Sequence, residues 1–352
     1  MEIHAGSSSL AGGLRCQQGA GHHDVLNLIG AFVDLGDLGV AHHPLDREVT
    51  DPTAEHRNWG FDTYGQAILN ALDAVEKITQ TDRTHLQASC SGGILAAMTA
   101  AHLNATGEGD RLAGLTLMVT VLDQRKAGFA AAAIDEEAAN IAIALSARKG
   151  YLDGRSLAEV FAWLRPTDLV WRYWVNNYVE GKSPAAFDVL YWNADTTRMA
   201  AALHRDMVTM GVHNSLVTPG AVSMLRTPVD LNQLTTDTYV VAGIADHISP
   251  WQACFLSARL LGTKNLRFVL SSSGHIASLV NPPGNPRASY RLGDVDEPDP
   301  EFWVESAEPH KDRGGRTSSH GSASAAARRR TRPSRSVARA WFRWNPPLAC
   351  TY

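Results

Sequence analysis

Residues 87–95 read "QASCSGGIL", a run of small residues between an apolar segment and a helix-like one. The stretch raises the question of why Cys90 stands in the middle of such a turn. A buried structural thiol is one answer, since free cysteine is among the most buried residue types. The flanking sequence favours another answer. Residues Thr84–Ser89 form a strand candidate and residues 92–102 have apolar residues at helical spacing, so Cys90 lies between a strand and a helix.

The turn resembles a nucleophile elbow, G-x-S-x-G, with Ala88 in place of the first glycine and Cys90 in place of the serine. Small neighbours are needed there because the nucleophile occupies a strained backbone turn. A cysteine at the start of a helix also has its thiolate stabilised by unpaired backbone N–H groups and the helix dipole. Cys90 is therefore the candidate nucleophile.

The pattern around this turn predicts an α/β fold. An amphipathic helix is predicted from Phe61 to about Thr79, and further strands over residues 114–122, 238–242 and 266–270. A strand, tight turn, helix and strand in succession form a βαβ unit. Residues 123–226 are instead rich in helix formers and tryptophan, which indicates a mostly helical insertion. Its tryptophans are expected to pack in a core, with ligand contact as the alternative: Trp163, Trp171, Trp174 and Trp192.

A cysteine nucleophile needs a base and an acid to orient that base. Asp246 follows the strand at 238–242, and His275 follows the strand at 266–270. Both loops are expected at the same sheet edge as Cys90, and the order nucleophile, acid, histidine is that of α/β-hydrolases. Taken singly, the aspartate could form a turn and the histidine could lie on the surface. His247 is a competing base, but its position beside Asp246 favours His275.

Composition predicts a globular protein that works in a reducing compartment. With 352 residues, of which 44% are hydrophobic, the chain is long enough to bury a full core. Its four cysteines, Cys16, Cys90, Cys254 and Cys350, have no spacing typical of a zinc site or a disulfide framework. No apolar run approaches the roughly 20 residues that cross a bilayer, and no signal peptide is recognised. We therefore expect a cytoplasmic protein without a bound metal.

The charge is distributed unevenly. Nine of the 32 basic residues lie between Arg313 and the end of the chain, where no acidic residue occurs, so the first 312 residues carry 23 basic against 36 acidic groups. We expect residues 312–352 to form a basic, disordered tail. Contact with nucleic acid or an anionic surface is the alternative interpretation, and no nucleic-acid partner is expected for the rest of the chain.

Several long segments are similar to the catalytic domain of polyhydroxyalkanoate synthases, which polymerise (R)-3-hydroxyacyl-CoA thioesters. The segments are "ASCSGG", "FAWLRPTDLVWRYWVNNY", "FDVLYWNADTTRM", "AGIADHISPWQ" and "SGHIASLVNPPGNP". They run in order from about Asp51 to about His310. The resemblance implies an α/β-hydrolase fold with a helical cap, Cys90 as nucleophile, His275 as base and Asp246 as the residue that helps activate the 3-hydroxyl group.

The resemblance also implies further residues and partners. Trp192 matches a tryptophan of the family's substrate and dimer region. Apart from the resemblance, the Ser91 N–H would supply half of an oxyanion hole, and His247 is a further candidate for substrate binding. The implied partners are the (R)-3-hydroxyacyl-CoA substrate, the growing polyester chain, the surface of a cytoplasmic polyester granule and a second copy of the chain. No cofactor is implied, because the substrate is itself a CoA thioester.

The resemblance fails at both ends of the chain. Residues 1–50 match nothing in the family, so we expect a core made of residues 51–122 and 227–311 whose sheet is incomplete at its N-terminal edge. Such an edge exposes unpaired backbone and predicts reduced stability or self-association. Two other functions stay open. One is a thioesterase or hydrolase on the same scaffold, and the other is an inactive, truncated relative that only associates with granules.

Overall fold

The structure is a computed structural model that describes residues 31–34, 51–128, 135–164, 166–183, 196–280 and 288–311. Within these ranges seven strands form one mixed sheet in which neighbours in sequence are neighbours in space. The strands are β1 (Ala31–Asp34), β2 (Thr84–Ser89), β3 (Leu112–Met118), β4 (Thr238–Gly243), β5 (Leu266–Ser271), β6 (Tyr290–Gly293) and β7 (Glu308–His310).

The centre of the sheet is parallel and its edges are antiparallel. Strands β2, β3, β4 and β5 pair in parallel, so their carboxyl ends lie at one edge. Strand β1 pairs antiparallel with β2, and β6 and β7 extend the other side antiparallel. Among the described residues, the four-residue strand β1 is therefore the edge strand of the sheet next to β2. The expected incompleteness of that edge concerns residues outside the described ranges and stays a prediction.

The helices of the described ranges pack on this sheet or lie between residues 135 and 212, within the predicted insertion. They are α1 (Phe61–Thr79), α2 (Cys90–Ala105), α3 (Glu136–Lys149), α4 (Gly154–Leu164), α5 (Ala201–Val212), α6 (Trp251–Arg259), α7 (His275–Val280) and α8 (Pro300–Ser306). Helix α2 is buried on almost every side, which its run of alanine, glycine and leucine permits. Helix α1 ends where predicted, although Ile78, assigned to its apolar face, is 57% exposed.

The main core lies between the sheet and helices α1, α2, α6 and α8. Leu86 and Leu115 point into it from the sheet, and Leu72 and Met98 from the helices; all four are inaccessible to solvent. Four aromatic rings close the β5 side of this core: Trp251, Phe255, Phe268 and Trp303. The strands that carry Cys90, Asp246 and His275 are thus held by continuous packing on one face.

The described residues between 135 and 212 are mostly helical. Besides α3, α4 and α5 they include two π-helical segments, Thr167–Trp171 and Trp174–Val179, and one two-residue strand pair, Tyr151–Leu152 with Met199–Ala200. Helices α3 and α5 pack side by side, with a buried hydrogen bond of 2.8 Å between Ser146 and His204. The division of the chain into a core, an insertion over 123–226 and flanking segments stays a prediction.

The tryptophans of this region differ from expectation. Trp163, Trp171 and Trp174 are 57%, 51% and 53% exposed, so the prediction of core packing is wrong for these three. Trp163 and Trp171 instead contact each other edge to face, with ring centroids 6.5 Å apart. The physical reason is that α4 and the π-helical segments contact mainly one another among the described elements, and burial depends on a covering layer that composition does not reveal.

Strand β3 ends earlier than predicted because the chain turns sharply after Met118. Val119 has φ +45°, a left-handed backbone that β-branched residues rarely adopt. The turn places Thr120 against the first turn of α2, where a Cβ on Gly93 would lie 1.9 Å from Thr120 Oγ1. The second glycine of the "SGG" run is therefore required by close packing between β3 and α2.

Replacing Gly93 with alanine is expected to lower the free energy of unfolding by about 1–3 kcal/mol, because the added methyl group has no space. The matched control is Gly211→Ala near the end of α5, where a Cβ meets nothing within 4 Å. That variant is expected to unfold at the same urea concentration or a slightly higher one. Thr120→Ala in the Gly93→Ala background should recover part of the loss. Equal unfolding midpoints for the two glycine variants would contradict this account.

Candidate active site

Cys90 lies at the junction of β2 and α2, as the sequence predicts. Ser89 is extended, with φ −124°, and Cys90 has φ +51°, so the chain reverses within one residue before the helix begins. Ala88 is inaccessible to solvent and Gly92 is buried, which explains why both neighbours must be small. The cysteine itself is only half-buried. The turn thus presents the thiol at the carboxyl edge of the sheet, where a substrate can reach it.

Asp246 and His275 meet at the same edge. Nδ1 of His275 lies 2.7 Å from Oδ2 of Asp246, and both side chains are almost inaccessible to solvent. The other carboxylate oxygen accepts hydrogen bonds of 2.9 Å from the backbone N–H groups of Ile248 and Ser249. Both oxygens of Asp246 are therefore occupied, and the carboxylate holds the imidazole in one orientation.

The electrostatics of His275 link it to Cys90. Burial lowers the pKa of the imidazole, but the hydrogen bond to Asp246 and the interaction with Cys90 outweigh burial and raise the pKa to about 10. Nε2 of His275 is buried and has no hydrogen bond of normal geometry within the described part of the chain. This nitrogen is the position from which an imidazole held at Nδ1 can exchange a proton with a thiol.

The remaining candidate residues are placed less directly. Ser91 opens the first turn of α2, next to Cys90, and is half-buried. His247 is also half-buried, and it is His275, not His247, that is hydrogen-bonded to Asp246. Trp192 lies outside the described residues. The structure therefore brings Cys90, Asp246 and His275 together, while the roles of all six residues stay predictions.

Two features of the site were not foreseen from the sequence. The turn Asp246 to Ser249 is an Asx-type turn, which the order Asp, His, Ile, Ser could have suggested. Cys254 on α6 is a second thiol near the site, fully buried, whose Sγ contacts the carbonyl oxygen of Ser249 at 3.7 Å. Burial raises the pKa of Cys254 well above its usual value, and the negative charges of Asp246 and Cys90 add to the rise. Cys254 is therefore an inert neighbour of the candidate nucleophile.

Other classes of site are not formed by the described residues. No three His, Cys, Asp or Glu side chains among them are grouped so that they could hold a metal ion. None of the helices described is both long enough and apolar enough to span a membrane. A cavity of about 430 Å³ lies at the opposite, amino-terminal ends of the strands, with Arg83, Asn104 and Asp237 in its wall. Because it contains none of the candidate residues, it does not belong to this site.

Comparison with known proteins identifies the class. The family model of the α/β hydrolase fold matches residues 41–282. Together with the parallel strands and the Cys90 turn, this match shows that the chain belongs to the α/β-hydrolase family, as predicted.

Within that class the chain is similar to poly(3-hydroxyalkanoate) polymerases, and the resemblance drawn from the sequence is confirmed. It is 45% identical over 263 residues to poly(3-hydroxyalkanoate) polymerase 1 of Ectopseudomonas oleovorans, covering 74% of this chain and 46% of that protein. It is 37% identical over 263 residues to the poly(3-hydroxyalkanoate) polymerase of Methylorubrum extorquens, covering 74% and 43%. The chain thus spans about half the length of these relatives.

Similarity to solved structures is more distant. A hydrolase from Pseudomonas aeruginosa is 18% identical, with a TM-score of 0.40, over 66% of this chain and 69% of that chain.

The His275 pair predicts a pH dependence of stability. Because the pKa of His275 is about 10 in the folded protein against 6.5 ordinarily, the folded state retains a proton that the unfolded chain loses between these values. The stabilisation is complete below about pH 6.5 and is lost as the pH rises through about 10. Urea unfolding at several pH values should show this decline, and Asp246→Asn should flatten it. If the free energy of unfolding fell equally with pH in the unaltered protein and in Asp246→Asn, the raised pKa could not be assigned to the His275–Asp246 pair.

Alkylation separates the two described thiols. Iodoacetamide is expected to modify Cys90 in the folded protein and to leave buried Cys254 unmodified, as measured by mass spectrometry of tryptic peptides. His275→Ala should slow modification of Cys90 by about 10-fold or more, because the thiolate loses its partner. In urea both cysteines should react alike, which controls for peptide recovery. Equal rates at Cys90 in the two proteins would exclude His275 as its base.

Proposed function

We propose that this chain is an acyltransferase that polymerises (R)-3-hydroxyacyl-CoA into polyhydroxyalkanoate through a covalent acyl-cysteine intermediate. The observation that carries the proposal is the placement of the His275 imidazole, held by Asp246 at 2.7 Å, beside a half-buried Cys90 on a nucleophile turn. The similarity to polymerases, at 37–45% identity over about three quarters of the chain, supports the substrate class.

The first step loads the acyl group. Near neutral pH the raised pKa of His275 keeps the proton of the Cys90 thiol on Nε2, and the Cys90 thiolate attacks the carbonyl carbon of the CoA thioester. A bond forms between Cys90 Sγ and that carbon, the bond to the CoA sulfur breaks, and the imidazolium returns the proton to the departing sulfur. One thioester replaces another, so the step is nearly balanced in energy. This balance explains why cysteine suits the site: the bound acyl group stays transferable.

The transition state of this step carries negative charge on the thioester oxygen. The backbone N–H of Ser91 lies at the start of α2, where the helix dipole favours an anion. We assign it one of the oxyanion contacts, each worth on the order of 3 kcal/mol. Trp192 is assigned to substrate binding on the family resemblance, and His247 on its position beside Asp246.

The second step transfers the acyl group to a hydroxyl. The 3-hydroxyl oxygen of another unit attacks the carbonyl carbon of acyl-Cys90, an ester bond forms and Cys90 Sγ leaves. In this proposal His275 Nε2 receives the hydroxyl proton and returns it to the sulfur. The direct role that the family resemblance gives to Asp246 fits less well, because its side chain is 0% exposed and both oxygens are occupied. Asp246 instead positions and stabilises the imidazole.

The proposed partners follow from this chemistry. The acceptor hydroxyl belongs to a bound monomer or to the growing polyester chain, and the polymer accumulates as a cytoplasmic granule on whose surface the protein works. A homodimer is proposed on the family resemblance. The two steps use Cys90, His275, Asp246, the Ser91 N–H and groups of the substrate, so no cofactor is assigned.

Purified protein incubated with (R)-3-hydroxybutyryl-CoA or a longer homologue is expected to release CoA and to form polymer. Cys90→Ala should reduce CoA release by about 10³-fold or more, because no acyl-enzyme can form. Released thiol is measured colorimetrically and polymer by gas chromatography after methanolysis. Cys254→Ala, which alters a buried thiol with no assigned role, is the matched control and should keep most of the activity.

Each contrary result points to a different function. Release of CoA with free 3-hydroxy acid and no polymer would identify a thioesterase, since the same cysteine and histidine can transfer the acyl group to water. Soluble protein that binds granules but releases no CoA would identify a non-catalytic relative. Full activity in Cys90→Ala would remove the proposed nucleophile.

A further inference from the structure

Two segments of the predicted insertion over 123–226 meet close to the end of β3. The first residue of the predicted insertion, Asp123, follows the end of β3, and Asn214 follows its last helix, α5. Asn214 Oδ1 accepts a hydrogen bond of 2.8 Å from the backbone N–H of Gln124, and its Nδ2 donates one of 3.1 Å to Asp123 Oδ1. A single amide side chain therefore joins the outgoing and the returning segment.

Ser257 joins the same point to the core. Its buried Oγ accepts hydrogen bonds from the backbone N–H groups of Leu122, at 2.7 Å, and Asp123, at 3.0 Å. The hydroxyl in turn donates to the carbonyl oxygen of Ala253 at 2.6 Å. Ser257 lies on α6, the helix that follows the Asp246 loop. The segment that leaves β3 is thus hydrogen-bonded to the helix next to the candidate acid.

Asn214 and Asp123 are residue types that suit their backbone conformation and burial. Asn214 has φ +48°, a left-handed backbone that asparagine tolerates better than most residues. The Asp123 carboxylate is 0% exposed; burial raises its pKa, but hydrogen bonds from Arg125 and Asn214 outweigh burial and lower it. The carboxylate is therefore charged, which strengthens its hydrogen bonds. The second partner of the Asp123 carboxylate, Arg125, is only two residues away in the chain, and its side chain is 63% exposed. The hydrogen bond that links Asp123 to a distant segment is therefore the one from Asn214.

The outgoing segment also passes along the candidate active site. A Cβ on Gly128 would lie 3.4 Å from Cγ of Pro250, the residue that precedes α6. Pro250 directly follows Ser249, whose N–H is hydrogen-bonded to Asp246. An acyl-cysteine at this edge is open to attack by water unless the neighbouring chain excludes it.

We infer that Asp123, Asn214 and Ser257 form an anchor that holds the segment leaving β3 and the end of α5 against α6 and thereby limits the access of water to acyl-Cys90. These three are positioning residues, since none of them contacts Cys90, Asp246 or His275 in the hydrogen bonds described. The first part of this inference concerns structure alone. The second part rests on the proposed function.

Asn214→Gly tests the anchor, because glycine keeps the left-handed backbone and removes both amide hydrogen bonds. Hydrogen exchange followed by mass spectrometry is expected to show exchange about 10-fold faster or more in α3 and α5, with α2 and β4 unchanged. With (R)-3-hydroxybutyryl-CoA as substrate, the ratio of free 3-hydroxy acid to polymer should rise several-fold.

The matched control is Gln80→Gly at the end of α1. Gln80 also has a left-handed backbone, φ +56°, and its side chain bonds only to Lys77 in the contacts described. This variant should change neither measurement. Asp123→Asn, which keeps the size of the side chain but removes its charge, provides a milder second variant and should shift exchange in the same direction if Asn214→Gly unfolds throughout.

Unchanged exchange in α3 and α5 for both anchor variants would overturn the anchor. Faster exchange with an unchanged product ratio would overturn its role in excluding water. If the unaltered protein makes no polymer, the proposed function fails, while the exchange measurement still decides whether the anchor exists.

Discussion

The left-handed backbone at Cys90 is the constraint on which the rest of the site depends. A φ of +51° in a residue with a Cβ is stable only when the surrounding structure fixes it. Here β2 fixes the approach, the buried helix α2 fixes the exit, and Ala88 and Gly92 leave the space for both. The same geometry that strains the turn lifts the thiol out of the sheet and places it at the start of a helix, where negative charge is favoured.

The imidazole facing this thiol depends on a buried carboxylate. Asp246 receives two backbone N–H groups on one oxygen and His275 on the other, so its charge is balanced by three hydrogen bonds inside the protein. Burial lowers the pKa of the His275 imidazole. The hydrogen bond to Asp246 and the interaction with Cys90 outweigh burial and raise this pKa. The loop after β4 therefore determines the proton affinity of a residue on the loop after β5.

The sequence was sufficient to predict the elements that carry the site. Strand β2 is found at the predicted residues, and the ends of β4 and β5 differ by a single residue, because alternating apolar residues and the small residues after them are local signals. From three strand ends at one edge it followed that Cys90, Asp246 and His275 would converge. The family resemblance then supplied a substrate class that no spacing of residues contains.

What the sequence could not predict depends on contacts between distant segments. The sequence predicts the end of β3 four residues too late because every residue of "LMVTVL" is apolar or β-branched, and only the close packing of Thr120 on Gly93 shows why the chain turns at Val119. The exposed Trp163, Trp171 and Trp174 were expected in a core because composition does not show what covers a helix. Asn214 carried no signal at all, since its partners Asp123 and Gln124 lie some ninety residues away.

Neighbouring strands β2 and β3 both end in a left-handed residue with a side chain, Cys90 and Val119, directly after the last pair in their ladder, Ser89 with Met118. Each such residue stores on the order of 1–3 kcal/mol. The rim that bears the thiol therefore holds two strained residues side by side. We expect this rim to loosen on warming before the aromatic core beneath α6 and α8 melts, so the proposed activity would be lost at temperatures where the overall fold still persists.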